Sequence, residues 1–129
     1  MSDAIARLAT LREELKAAVD ADAESYKAVV AAYKKAKNAA GGDGAVSDAL
    51  KTATNVPLGV AERAREVERI ATRLVPITNP NMASDLTVAR ALARAAVEGA
   101  LANVEINLGS LADEAFVSAV RSKAATLKA

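Results

Sequence analysis

Cysteine, histidine and tryptophan are absent from this 129-residue chain, and two tyrosines and one phenylalanine are its only aromatics. Without Cys there is no disulfide and no thiol redox chemistry, and without Cys or His the commonest zinc and haem ligand sets are excluded. An excess of one charge is missing too. Lys and Arg number 17 against 16 Asp and Glu, a formal net charge of +1, and no basic cluster alternates with aromatics, so nothing marks a nucleic-acid footprint. The N-terminus has no basic region followed by an apolar run, and charges interrupt the longest apolar stretch. Neither a signal peptide nor a membrane span is expected, and the expected location is cytoplasmic.

What is abundant is alanine, about a quarter of the residues. That composition predicts an all-α fold with helices packed closely on small side chains, and the length predicts a single domain over residues 1–129. A long helix is expected from Ser2 or Asp3 to about Asn38, closed by Lys34, Lys35 and Lys37 and stopped by Gly41-Gly42-Asp43-Gly44. That glycine stretch lacks the Lys-Ser/Thr ending of a phosphate loop, so no nucleotide is expected. A short helix from Val46 to Thr54 follows, broken at Asn55-Val56-Pro57. Next comes an amphipathic segment with Val60, Ala64, Val67, Ala71 and Leu74 inward, and Glu62, Arg63, Arg65, Glu66, Glu68, Arg69 and Arg73 outward as a solvated face. Thr78-Asn79-Pro80-Asn81 is a polar break. A final helix is expected from Glu114 to Lys128, capped by Asp113 or Ser110.

Between these lies the stretch around which the chain is organised, Ile77 to Leu108, helical from Ser84 onward. Apolar residues cover nearly its whole circumference, and Arg90, Arg94, Glu98 and Glu105 fall near one narrow stripe, so a long, mostly buried central helix is expected. Asn103 and Asn107 stand four apart, so they face one neighbour, as a seam or a pocket wall. In the first helix, Ile5, Leu8, Leu15, Val19, Asp22, Tyr26, Val29 and Tyr33 read as the inward face. Asp22 is the anomaly there, because a carboxylate on a core line is costly unless paired, hydrogen-bonded or protonated. A central helix apolar on so many sides also predicts a homo-oligomer, most simply a two-fold dimer.

N-P-N-M-A-S-D-L (79–86) and V-E-G-A-L-A-N-V-E-I-N-L-G-S-L-A-D-E-A-F (97–116) resemble the formiminotransferase-cyclodeaminase C-terminal domain family. D-A-D-A-E-S-Y-K-A-V-V-A-A-Y (20–33) and A-L-K-T-A-T-N-V-P-L (49–58) extend the likeness over most of the chain. The resemblance implies an all-helical dimeric fold acting on the one-carbon unit of a reduced folate, by ring closure with loss of ammonia or by hydration of a methenyl bridge. It also implies that this chain is shortened at the N-terminus, without the upstream helices and glycine-rich segment of family members. A tetrahydrofolate derivative is then the substrate, with no metal or nucleotide cofactor expected. Carried over by position, the catalytic candidates are Asp22 and Asp85. The substrate-binding candidates are Tyr26, Asn79, Asn81, Ser84, Asn103 and Asn107. A positioned carboxylate can move the protons that such chemistry needs, and amides can hold a pterin edge.

Overall fold

Four α-helices and two short 3-10 turns account for almost all of the residues described in the computed structural model, which are 1–38 and 43–129. No strand occurs among them, as an alanine-rich chain dictates. In chain order the elements are α1 (Ser2–Asn38), α2 (Asp43–Leu74), the turns Val75–Ile77 and Pro80–Met82, α3 (Ala83–Leu108) and α4 (Glu114–Lys128). The glycine stop expected at Gly41 and Gly42 lies outside the described residues, whereas Asp43 and Gly44 belong to α2.

The middle position belongs to α2, packed on α1 along one side and on α3 along the other, with α4 lying against the α2–α3 pair. α1 and α2 are antiparallel, since Arg7 forks onto Glu66 through two hydrogen bonds of 2.6 and 2.7 Å while Arg63 reaches Glu14 at 2.8 Å. α2 and α3 are antiparallel as well, with Glu68 opposite Arg94 and Ala53 opposite Asn107. The main core joins Leu58, Ala61 and Ala64 of α2 to Val97, Leu101, Val104 and Leu108 of α3 and Val120 of α4. α4 is tied down by Lys51, whose ammonium donates to Asp113 at 2.7 Å and lies 5.5 Å from the centre of the Phe116 ring. Asp113 caps the helix, accepting from the Phe116 amide.

Three expectations need correction. α2 is one helix rather than two, continuous through Pro57. Proline removes one backbone donor and leaves the carbonyl four residues back, that of Ala53, without its helical partner. The Asn107 side chain donates to that carbonyl at 3.0 Å, which satisfies it and lets the helix continue.

The second correction concerns α3, which buries only the stripe Ala93, Val97, Ala100, Leu101, Val104 and Leu108. Its opposite face is open, with Leu92 66% and Ile106 70% exposed and Val88, Ala95 and Gly99 exposed between and beside them. The third is the inward face of α1. Leu11, Ser25 and Ala32 are its buried residues, with Ala18 half-buried on the same seven-residue step, while Ile5, Val19, Tyr26 and Tyr33 are exposed. Beyond Leu11, close approach of α1 to α2 selects the small side chains of this line, which turns Ile5, Val19, Tyr26 and Tyr33 outward and leaves Leu8, Leu15 and Val29 half-buried at its edge. No helix among the described residues is long and apolar enough to cross a membrane.

Candidate functional site

The eight candidate residues fall into two groups at opposite ends of the helical layer. Asp22 and Tyr26 lie past the middle of α1, both exposed, Tyr26 at 70%. The Asp22 backbone carbonyl accepts from the Ser25 hydroxyl at 2.8 Å, and the side chain stands clear of the core. The core-line cost read from the sequence therefore does not arise within one chain. Extending the Arg7–Glu66 and Arg63–Glu14 pairings places Asp22 level with the Ala53 turn of α2, and so level with Asn107 of α3.

The other group surrounds the start of α3. Pro80 opens a 3-10 turn, and the Asn79 side chain caps it by accepting from the Asn81 amide at 3.0 Å. Because that turn runs directly into α3, the cap position falls on Met82, and no side chain caps the helix. Ser84 lies inside the first turn of the helix. Asp85 occupies the first turn, where a carboxylate is favoured by the helix dipole, and Asn79, Asn81, Ser84 and Asp85 are all exposed. From Asp85 to Asn107 there are 22 residues of α3, about 33 Å at the helical rise. One chain therefore does not bring Asp22 and Asp85 to a common cleft.

Asn103 and Asn107 are not equivalent either. Asn103 is exposed on the open face of α3, whereas Asn107 is half-buried and its amide N–H is committed to the Ala53 carbonyl. That bond leaves Asn107 its second N–H and its oxygen to offer a ligand. Asn107→Ala strands the buried Ala53 carbonyl and is expected to cost about 1–3 kcal/mol. In a Pro57→Ala background the restored backbone N–H can take over, so the same substitution should cost distinctly less there. Urea unfolding of the four proteins measures this, and strictly additive losses would remove Asn107 as the partner of the proline break.

A sizeable cleft lies elsewhere, between the C-terminal half of α2 and residues 90–105 of α3, with the end of α4 closing one side. It has a volume of about 1180 Å³, and none of the eight candidates lines it. Arg90, Arg94, Glu98 and Glu105, read as one stripe, do line it, facing Arg65, Glu68, Arg69 and Arg73 of α2. Glu68 was expected on a solvated face and is 4% exposed. It accepts from Arg94 and from Arg65, and the Arg94 hydrogen bond above all holds its carboxyl below the usual glutamate range against the opposing effect of burial. The sequence did contain the signal: α2 and α3 both carry arginines at four-residue spacing, and an antiparallel pairing sets one row against the other.

The family described as formiminotransferase-cyclodeaminase matches residues 1–126 of the chain. A methenyltetrahydrofolate cyclohydrolase of Methylorubrum extorquens is 37% identical over 110 residues, covering 82% of this chain and 53% of the relative. The formimidoyltransferase-cyclodeaminases of Sus scrofa and Gallus gallus are each 33% identical, over 118 and 120 residues, covering 88% and 90% of this chain and 22% of each relative. The chain thus spans about half the length of the first relative and about a fifth of the other two.

Proposed function

Since the chain belongs to the formiminotransferase-cyclodeaminase family, we propose that it forms, as a single helical domain in the cytoplasm, a homodimeric enzyme acting on the one-carbon unit of a reduced folate. The reaction class is hydration of a methenyl bridge or ring closure of a formimidoyl group with release of ammonia, in keeping with the names of its relatives. The observation that carries the dimer is the separation of the two candidate groups along α3, with the exposed line Val88, Leu92, Ala95, Gly99 and Ile106 between them. Laying that line and the exposed Val19 and Tyr26 side of α1 across a two-fold copy of the same face, with α3 crossing α3 about the middle of the line, buries it and brings the Asp85 end of one copy towards the Asp22 end of the other. Small residues at the crossing allow the backbones to approach closely.

In that arrangement each site has two carboxylates from different chains. For hydration, one takes a proton from the attacking water as the C–O bond forms at the carbon between two nitrogens. The other delivers a proton to the nitrogen that leaves when the adduct opens. Ring closure uses the same two transfers, with the folate's second, exocyclic amine nitrogen as nucleophile and ammonia leaving. Asn81 and Asn103 offer donor and acceptor pairs to a pterin edge, and Tyr26 offers a flat apolar surface. The test is to follow loss of methenyl-tetrahydrofolate absorbance and release of ammonia from formimidoyl-tetrahydrofolate, beside sedimentation of the same sample. Turnover of one of the two by a dimer is expected. A folded dimer that turns over neither contradicts the proposal.

A further inference from the structure

We propose that the cleft between α2 and α3 is a binding site for a small ligand carrying two or more oxyanion groups on an apolar body. The cleft exceeds the 300–1,000 Å³ or so of ordinary ligand pockets, and its apolar floor includes Val97 and Leu101. Its charges do not cancel. Of its four side-chain carboxylates, Glu66 and Glu105 are already paired with Arg7 and Arg121 from outside, and Glu68 is shared by Arg65 and Arg94. Arg69, Arg73 and Arg90 form no ion pair among the described residues.

These three arginines also belong to one end of the cleft. In the register that sets Glu68 against Arg94, residues 69 to 73 of α2 fall opposite the turn of α3 containing Arg90. Glu98, the remaining acid, lies two turns further along α3, towards the α4 end of the cleft. The Nε donors of Arg65 and Arg90 are enclosed by protein and donate to no protein acceptor, although the other Arg65 nitrogens are used by Glu68 and the Ala129 carbonyl. A buried guanidinium donor without an acceptor is costly, and an oxyanion between the helices satisfies donors and charges at once. Phosphate and carboxylate groups share this chemistry.

The site is independent of the proposed folate chemistry, because no candidate of that site lines it. The experiment titrates the full chain with pyrophosphate and, separately, with citrate at low salt, by calorimetry and by NMR of the arginine Nε–Hε groups. Saturable binding that shifts the Arg65 and Arg90 Nε–Hε signals and weakens with added salt is expected for at least one anion. Response to pyrophosphate alone assigns a phosphorylated ligand, and response to citrate alone assigns a polycarboxylate. Arg69→Gln combined with Arg90→Gln should weaken that binding by about tenfold or more. Should that pair disturb folding, the exposed Arg73→Gln serves instead, with a smaller loss expected. Neither anion moving the two Nε–Hε signals, or binding undiminished in a folded variant, overturns the proposal.

Discussion

Asp22→Asn and Asp85→Asn each lower turnover of the methenyl or formimidoyl substrate by at least about tenfold, within the range that general acid-base groups supply, while leaving the helical fold intact. Both side chains are exposed in the single chain, so neither replacement creates a cavity or strands a buried group. Asp22→Asn should be nearly neutral in urea unfolding, within about 0.5 kcal/mol. Asp85→Asn gives up a favourable dipole contact in the first turn of α3, worth about 0.3–1 kcal/mol. Steady-state assays beside equilibrium unfolding separate the two effects. Unchanged turnover in either variant removes that carboxylate from the reaction.

Glu68→Ala has the largest expected effect on stability. Removing one partner of a buried ion pair usually costs about 3–5 kcal/mol, and the exposure of Arg94, at 58%, reduces this to about 2–3 kcal/mol. Arg65, 20% exposed, loses its side-chain carboxylate partner. The same contacts make a pH prediction. Because the folded-state pKa of Glu68 lies below its unfolded value, its stabilisation is fully present above the unfolded value, about 4.3, and is lost as the pH falls through the folded one. Glu66, Glu105 and Asp113 are shifted down by Arg7, Arg121 and Lys51, so they add losses of the same sign. The difference between the natural chain and Glu68→Gln isolates the share of Glu68. Between pH 7 and pH 3 the natural chain should lose stability more steeply than Glu68→Gln, and parallel curves in urea unfolding would show that Glu68 is not paired as described.

The helices that were legible are those with ends written in local chemistry. α1 starts at Ser2 and is helical through its lysines to Asn38, and α4 begins after Asp113, whose carboxylate accepts the Phe116 amide. The extent of α2 was hidden because a proline break is a local signal, whereas the amide that repairs it comes from Asn107, far along the chain. The buried side of α1 was misread for a different reason. Helical periodicity ranks Val19, Tyr26 and Tyr33 above Ala18, Ser25 and Ala32, yet close helix packing selects the small residues, and the large ones face outward. Of the site, the motif positions and the peculiarity of Asp22 were visible in the sequence. Their distribution to opposite ends of the layer was not, since it depends on the antiparallel register of α1, α2 and α3. The row of arginines on α2 looked like a solvated face until α3 supplied the opposite wall.

That distribution makes mixing the most direct experiment. Asp22→Asn and Asp85→Asn proteins, each nearly inactive, are dissociated, combined in equal amounts and allowed to reassociate. If each site takes Asp22 from one chain and Asp85 from the other, half of the dimers become mixed and each mixed dimer regains one intact site. The mixture then recovers about a quarter of the natural activity. A mixture no more active than its two components means that the two carboxylates do not meet across a dimer.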